Sequence, residues 1–435
     1  MTIFTNIWKK YADRSIGKIL RFSSGSIIAQ IFPIALSPLL ARLYTPSDFG
    51  VVASIMAFVG VFSVISNGRY ELAIPLPRSN LLASYAASVS LSIELFFSLL
   101  LLCLLLFCPQ VFGQLLPDTL DSSLYAITVL LILLAGCGRI HQMMNIRNEH
   151  FIHAGMGMAF GAGVSGVGQV VGGFMGFGAI GLVLGRVAGS MMTVIYQWNI
   201  AKIDLGATGR HVFSSTFKKR ASVVLRKYKD LPLHSALPAF ANSFATNIPL
   251  LLIASAYGAL ALGYFAMVQR LVLLPGQFVG DSLRKVFLQT SAKQYDRGVS
   301  LRAYVLKFTG VFLLISIGYS IFMYVLAPYL IPLVLGPQWV DVIPILQILI
   351  LAFSVRFVAS SLSSIFIVVR QTKLLAYWQY GYMVIRVGSL ITASKHLDLM
   401  QFFKLMVAVD IIAYGIYLMM ELRVSSLTKN KKIIT

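Results

Sequence analysis

Four basic side chains lie near the middle of long apolar segments: Arg186, Arg270, Arg356 and Arg386. Only two acidic residues, Glu94 and Asp410, occupy comparable positions. A guanidinium stays protonated and can bind two phosphate oxygens at once. Four cations against two anions therefore predict an interior that receives a negatively charged group, such as a pyrophosphate or an acidic sugar.

Internal ion pairing is the alternative explanation of these charges. Asp410 could neutralise Arg356 or Arg386, because all three lie in the last three apolar segments. That pairing would leave the other two arginines as the better candidates for binding a cargo. Glu94 has no basic residue in its own segment. It is therefore either a site for a coupling proton or sodium ion, or a neutral, hydrogen-bonded carboxyl.

Membrane-spanning helices must hold these charges. Of the 435 residues, 58% are hydrophobic and only 12% are charged, which excludes a soluble globular domain. Apolar stretches of about 20 residues, enough to cross ~30 Å of hydrocarbon, recur along the chain. The central arginines lie about 8–14 residues from a membrane face, or ~12–20 Å deep. We predict twelve spans, at residues 20–41, 49–68, 82–108, 122–144, 151–175, 178–200, 235–256, 262–284, 304–327, 342–369, 374–393 and 401–421.

Basic residues fall mainly in every second connection between these spans. The N-terminus, alternate loops and the C-terminus hold 29 of the 36 Lys and Arg residues. Short loops retained in the cytoplasm keep their basic residues, so both termini are predicted to be cytoplasmic and the number of spans even. The same distribution excludes nucleic-acid binding as the cause of the net charge of +21, because the charges flank membrane spans.

The longest basic connection covers residues 201–234. Its Lys and Arg side chains could contact anionic lipid head groups. Four apolar side chains in it, Phe213, Phe217, Val224 and Leu225, are consistent with an amphipathic surface helix, and a plain linker is the alternative.

This connection divides the spans six and six, and the halves share sequence features. A Pro-Leu-Leu run followed by a short external turn begins at Pro38 in the first half and at Pro249 in the second. Because six is even, both halves enter the membrane from the same side. We predict an all-α polytopic membrane protein with two six-helix lobes related by a pseudo-two-fold axis along the membrane normal. The predicted parts are an N-lobe at 1–200, the 201–234 loop, a C-lobe at 235–421 and a basic cytoplasmic tail at 422–435.

Spans 5 and 6 carry glycines at about four-residue spacing, namely Gly157, Gly161, Gly168, Gly172, Gly176, Gly181, Gly185 and Gly189. Such ridges let two helices approach closely, so we predict tight packing of these spans. A phosphate-binding P-loop would need a following Gly-Lys-Ser/Thr run, which the sequence lacks. The three cysteines form neither a disulfide framework nor a metal-binding pair, and no metal site is predicted.

Three segments resemble the motifs of polysaccharide transporters. The first runs from Asn67 to Pro77 at the inner end of span 2 and has the sequence NGRYELAIPLP. The second runs from Ala41 to Gly50, and the third from Leu262 to Leu271, with Pro275 after it. The chain therefore resembles the Wzx-type O-antigen and polysaccharide flippases, in the MOP superfamily that also contains the multidrug and toxic compound extruders (MATE).

The resemblance implies twelve helices in two lobes around a central cationic cavity. It also implies alternating access that moves an undecaprenyl-pyrophosphate-linked oligosaccharide from the cytoplasmic to the periplasmic leaflet of the bacterial inner membrane. By position in the motifs, Arg69 and Glu71 lie at the inner cavity mouth, and Arg270 lies in the matching helix of the second lobe. The depth argument alone supports Arg186, Arg356, Arg386, Glu94 and Asp410.

Partners implied by this reading are the lipid-linked glycan, membrane lipids and the polysaccharide polymerase or chain-length machinery. No cofactor is expected beyond a coupling proton or sodium ion. A MATE-like drug/cation antiporter is the main alternative, but that function requires buried carboxylates rather than an excess of buried arginine. A membrane glycosyltransferase or polymerase should carry a large catalytic loop, whereas the longest external loops here are 109–121 and 328–341. The sequence therefore favours a transport protein over an enzyme.

Overall fold

The computed structural model describes residues 29–108, 122–201, 215–275, 287–288, 290–291, 294–295, 297–298 and 300–426. Helices and turns dominate these residues, and no β-strand occurs among them. The basic N-terminus, the first part of span 1, residues 202–214 and most of the C-terminal tail lie outside the described residues. The predicted all-α fold class is confirmed.

In chain order the α-helices are α1 (Ser37–Leu43), α2 (Pro46–Ser63), α3 (Asn80–Phe107), α4 (Ser122–Arg147), α5 (Phe151–Phe174), α6 (Gly178–Ala201), α7 (Ser215–Lys227), α8 (Leu237–Pro275), α9 (Arg302–Val334), α10 (Val342–Leu362), α11 (Ile365–Val368), α12 (Thr372–His396) and α13 (Leu399–Ser425). A helix over 29–35 precedes α1. Short 3-10 helices occupy Tyr70–Ala73 and Pro337–Trp339, and a π-helical turn occupies Pro232–Ala236.

Nine helices in the described part of the chain are long and apolar enough to cross a membrane. One of them, α8, covers most of predicted span 7 and the first part of predicted span 8, and the gap between these spans contains Gly258, where the backbone is not helical (φ 81°, ψ 176°). The helix α12 covers the eleventh predicted span but is not among the nine. The protein is thus a multi-pass membrane protein, and the number of twelve spans stays a prediction.

The chain forms two compact units, Met1–Ser255 and Ala256–Thr435. In unit 1, buried side chains of α2, α4 and α6, including Phe58, Ile132 and Val183, form one apolar core. In unit 2, α10 packs against α9 and α13, and Val358 and Phe402 are fully buried. The four predicted parts of the chain stay predictions.

Local sequence explains where α2 begins. Thr45 precedes Pro46, whose ring favours the first turn of a helix. The Thr45 hydroxyl accepts a hydrogen bond from the backbone N–H of Asp48, and the Asp48 carboxylate accepts one from the backbone N–H of Thr45. This reciprocal cap satisfies backbone donors that the helix itself leaves free, so it sets the start of the span that leads to the NGRYELAIPLP segment.

The glycine ridge holds α5 and α6 together as predicted. A Cβ atom built on Gly189 would lie 2.4 Å from the carbonyl oxygen of Gly161, and one built on Gly172 would lie 2.8 Å from the Cα of Gly181. Contacts this short leave no room for a side chain. Gly176 differs from the rest of the ridge, because it lies in the turn between the helices with a φ of 71° and no neighbour near its Cβ position.

Candidate functional site

The NGRYELAIPLP segment forms a tight turn after α2. Gly68 and Arg69 both have left-handed backbones (φ 60° and 61°), and the 3-10 helix Tyr70–Ala73 follows. The Nη1 atom of Arg69 lies 3.6 Å from Oε1 of Glu71, which is almost completely buried. Burial raises the pKa of Glu71 above its usual value, and the Arg69 charge opposes that rise. The structure therefore brings these two motif residues together as an ion pair.

A polar network surrounds Glu94, which is 0% exposed. The Ser66 hydroxyl donates a hydrogen bond of 2.6 Å to Oε2 of Glu94. The Nη2 atom of Arg139 donates to the Ser66 hydroxyl at 3.1 Å and to the backbone carbonyl of Ser63. We call Glu94, Ser66, Arg139 and this carbonyl the Glu94 network. It links α3, the segment after α2, and α4 within unit 1.

A glycine on α4 makes room for this network. A Cβ atom built on Gly136 would lie 1.9 Å from Oε2, 2.0 Å from Cδ and 2.4 Å from Oε1 of Glu94. Distances this short are incompatible with a side chain unless the carboxyl group moves. The absence of a side chain at Gly136 thus determines where the Glu94 carboxyl group can lie.

Several polar atoms in this part of unit 1 have no hydrogen-bond partner among the described residues. They include Oε1 of Glu94, Nε of Arg139, the hydroxyls of Ser90 and Ser98, and both amide atoms of Asn67. Buried polar groups are normally satisfied, and leaving one unpaired is costly. These atoms can bind water or other polar groups that the described residues do not supply.

Sequence reasoning missed the role of Arg139, which it counted among the basic residues at the end of span 4. The residue lies eight positions before Arg147, the last residue of α4, or ~12 Å along the helix. The depth argument that identified the four central arginines would therefore have identified Arg139 as well, if it had been applied to helix ends.

Arg186 lies on α6 among the buried residues of unit 1. Its Nε atom is buried without a hydrogen-bond partner, and no carboxylate among the described residues forms an ion pair with it. The neighbouring residues Gly185 and Val187 are buried. The side chain thus forms no ion pair within the described part of the chain, and its depth in the membrane stays a prediction.

Arg386 and Asp410 form an ion pair in unit 2. The Nε atom of Arg386 lies 3.4 Å from Oδ1 of Asp410, and its Nη2 atom donates to Oδ2 at 3.4 Å. The Tyr382 hydroxyl donates a 2.7 Å hydrogen bond to Oδ1 of the same carboxylate. Both charged residues are buried. Of the two pairings that the sequence left open for Asp410, the structure forms this one.

Arg356 on α10 lies close to α13, the helix that carries Asp410. It forms no ion pair with a carboxylate among the described residues. Its guanidinium carbon lies 5.8 Å from the centre of the Tyr414 ring. Tyr414 belongs to a cluster of rings that contact one another, with Trp378, Tyr382 and Tyr417. Asp410 already binds Arg386 and Tyr382. Arg356, Arg386 and Asp410 together therefore carry one net positive charge.

Arg270 and Glu421 are two further charged residues within long helices of the described chain. Arg270 is partly buried in the second half of α8, five residues before the end of that helix. Glu421 is 0% exposed on α13, and neither carboxyl oxygen has a hydrogen-bond partner in the described part of the chain. Sequence reasoning missed Glu421, because it lies only one turn from the end of its helix, where a carboxylate is expected to reach water.

Comparison with known proteins places these features in a family. Residues 39–344 match the family described as polysaccharide biosynthesis protein. The teichuronic acid biosynthesis protein TuaB of Bacillus subtilis (strain 168) is 23% identical over 259 residues, which cover 56% of this chain and 54% of that relative. The chain thus matches about half the length of TuaB.

Two solved structures share the fold. An inward-facing multidrug resistance MATE family transporter of the MOP superfamily superposes with a TM-score of 0.70 at 16% identity, over 95% of this chain and 99% of that one. The lipid II flippase MurJ, in an inward closed conformation, superposes with a TM-score of 0.69 at 15% identity, over 92% and 87% of the two chains. Identities this low show a common fold alone. With the family match extending over most of the sequence, the chain belongs to the polysaccharide biosynthesis protein family of membrane proteins.

Proposed function

We propose that this protein is a flippase that moves an undecaprenyl-pyrophosphate-linked oligosaccharide from the cytoplasmic to the periplasmic leaflet of the bacterial inner membrane. The cargo would be the repeat unit of an O-antigen or a similar surface polysaccharide. The observation that carries the proposal is that each unit holds an arginine, Arg186 or Arg356, that forms no ion pair with a carboxylate among the described residues; the Asp410 charge acts on Arg356 from a distance.

The chemistry of these arginines suits a pyrophosphate. Placing an unpaired guanidinium at bilayer depth is expensive, and such residues usually mark a cargo or ion pathway. The planar guanidinium binds phosphate oxygens in pairs, which a lysine cannot do. A diphosphate carries two adjacent anionic groups. It would therefore offset the cost of the buried guanidinium charge and match the two-point geometry of its N–H donors. Arg69, Arg270 and Arg386 stay further candidates for contact with the cargo, although Arg69 and Arg386 already pair with Glu71 and Asp410.

The rest of the cargo imposes few demands on the protein. The polyprenyl tail would stay in the bilayer while the pyrophosphate and the sugars cross by alternating access. In this proposal both termini are cytoplasmic, the protein catalyses no covalent step, and the polymerase or chain-length machinery receives the glycan on the periplasmic side.

The test of the cargo proposal is export in a strain that lacks the chromosomal gene. Arg186→Ala and Arg356→Ala should each lower surface polysaccharide by about tenfold or more, because a charged hydrogen bond contributes about 1.5–3 kcal/mol. Lipid-linked repeat units should accumulate in the cytoplasmic leaflet. The lysine variants should fall between alanine and the native residue, because they keep the charge and lose the two-point contact.

The control is Arg302→Ala, which removes an exposed arginine at the start of α9. It should leave export unchanged at equal protein level. Normal export by both alanine variants would overturn the assignment of the cargo site, whereas accumulation of no lipid-linked glycan in the deletion strain would overturn the flippase function itself.

Ion coupling at the Glu94 network is the second part of the proposal. Glu94 is buried and has one unpartnered oxygen, so it can gain or lose a proton or a sodium ion during transport. The nearby Arg139 charge opposes the binding of a proton and of a sodium ion alike, because like charges repel in a medium of low dielectric. Glu71 and Asp410 have cationic partners already, so they are weaker candidates.

Replacing Glu94 with glutamine should uncouple transport from the ion gradient. Glutamine keeps the shape of the side chain and a hydrogen-bonding oxygen, but its amide does not bind a proton near neutral pH. In proteoliposomes, an imposed proton gradient should accelerate flipping by the native protein, and it should have no effect on Glu94→Gln. Asp398→Asn, at an exposed helix cap, is the matched control. A variant at Glu94 that still responds to the gradient would exclude this residue as the coupling site.

A drug/cation antiporter is the second candidate function. Two fully buried carboxylates, Glu94 and Glu421, are the kind of group that binds cationic drugs, and the fold is shared with a multidrug transporter. This reading expects a deletion strain to become sensitive to cationic drugs while its surface polysaccharide stays normal.

A further inference from the structure

The basic connection between residues 201 and 234 contains a helix that is attached to unit 1. In α7, Val224 is 1% and Ala221 8% exposed, and both belong to an apolar cluster that includes Tyr85 of α3. An Nη1 atom of Arg220 donates to the Tyr85 hydroxyl at 3.2 Å. The predicted helix is thus present over Ser215–Lys227, with Val224 and Ala221 packed against the protein; Leu225 is exposed, and Phe213 lies outside the described residues.

The position of this contact sets the depth of α7. Tyr85 is five residues after Asn80, the first residue of α3, so the contact lies ~8 Å along a membrane-spanning helix. Tyr70 belongs to the same apolar cluster, and its hydroxyl donates to the carbonyl of Leu225 at 3.4 Å. The helix therefore lies against the membrane-proximal end of α3, at the level where lipid head groups occur.

The outward side of α7 combines apolar and basic residues. Val223 is 52% and Leu225 39% exposed. Arg226, Lys227 and the following Lys229 are also exposed, α7 itself contains no acidic residue, and the exposed Asp230 after it leaves three basic side chains against one acidic. A helix of this composition lies in the interface of a bilayer, with apolar side chains at the acyl boundary and basic ones among the phosphates.

We propose that the exposed side of α7 binds anionic phospholipids of the cytoplasmic leaflet. Val223 and Leu225 insert at the boundary of the acyl chains, and Arg226, Lys227 and Lys229 bind the phosphates of the head groups. Basic segments beside a span are attracted to the negative potential of that leaflet. Through Tyr70, the bound lipid would hold the segment that contains the Arg69–Glu71 ion pair. This inference does not depend on the nature of the cargo.

Hydrogen exchange of the full-length protein in nanodiscs tests the proposal. Discs of phosphatidylcholine are compared with discs that also contain phosphatidylglycerol. Peptides covering residues 220–230 should exchange roughly tenfold more slowly in the anionic discs, which corresponds to about 1.4 kcal/mol. Soluble glycerol phosphate added to phosphatidylcholine discs should not reproduce the effect, because the helix is expected to bind head groups within a bilayer.

Two variants identify the residues responsible. The difference in exchange rate between the two kinds of disc should be abolished in the triple variant Arg226→Glu/Lys227→Glu/Lys229→Glu. The corresponding triple glutamine variant should reduce that difference. The matched control, Arg302→Glu/Lys307→Glu, reverses the charge of two exposed basic residues on α9. It should keep the full difference in exchange rate between the discs. Equal exchange in both discs for the native protein would overturn the proposal. So would an unchanged difference in both triple variants.

Discussion

Replacing Gly136 with alanine is expected to lower the stability of the protein more than the addition of one methyl group would suggest. The new Cβ atom would lie 1.9 Å from a carboxyl oxygen of Glu94, so the carboxyl group must leave its position and its hydrogen bond to Ser66. Overpacking of a buried site costs about 1–3 kcal/mol, and we expect the upper part of this range because Glu94 has no exposed surface. Thermal unfolding of the purified protein in detergent measures the loss.

A neighbouring glycine on α4 provides the control. A Cβ atom on Gly138 would meet only a methyl group of Val194 at 3.9 Å, so Gly138→Ala should unfold close to the native temperature. Adding Glu94→Ala to Gly136→Ala removes the atoms that collide, so the double variant should regain stability without regaining coupled transport. Equal unfolding temperatures for Gly136→Ala and Gly138→Ala would contradict the geometry of the Glu94 network.

Removal of the Asp410 carboxylate is expected to be more damaging still. In Asp410→Ala, Arg386 stays buried without its partner, and the Tyr382 hydroxyl loses its acceptor. Breaking a buried ion pair from one side costs about 3–5 kcal/mol. The measurement is again thermal unfolding, together with the yield of monodisperse protein.

The exposed Asp398 serves as the comparison for that variant. Its carboxylate caps α13 by accepting a 2.7 Å hydrogen bond from the backbone N–H of Gln401, and losing such a cap costs about 1 kcal/mol. Asp398→Ala should therefore be clearly milder than Asp410→Ala. Combining Asp410→Ala with Arg386→Met should restore most of the lost stability, because it removes the unpaired charge. If the single Asp410 variant is no worse than Asp398→Ala, the ion pair contributes little to folding.

Most of the fold could be predicted because membrane helices have a strong signal in sequence. Long apolar stretches predicted a multi-pass helical membrane protein, and glycine spacing predicted the tight packing of α5 on α6; both are confirmed. The predicted break between spans 7 and 8, at residues 257–261, contains Gly258, where the backbone of α8 is not helical. For the 201–234 connection, sequence left a surface helix and a linker open, and the contacts of Val224 in the described part decide for the helix.

The candidate site was less predictable. Depth along a span predicted buried charges, and of the four central arginines Arg386 is buried while Arg186, Arg270 and Arg356 are partly buried. It did not predict that Asp410 pairs with Arg386 while Arg356 faces the Tyr414 ring. It also left out Arg139 and Glu421, which lie nearer to the ends of their helices, although both take part in the buried interior of their units.

From the sequence by itself one can determine that the protein is an all-helical membrane protein, and which charged residues lie near the middle of its long apolar segments. Both properties depend on composition along the chain. Only the tertiary structure decided which of those charges meet. Each residue turns a helix by about 100°, so the partner of a side chain depends on how neighbouring helices are rotated and packed. The Glu94 network, assembled from three segments around the bare backbone of Gly136, is the clearest case.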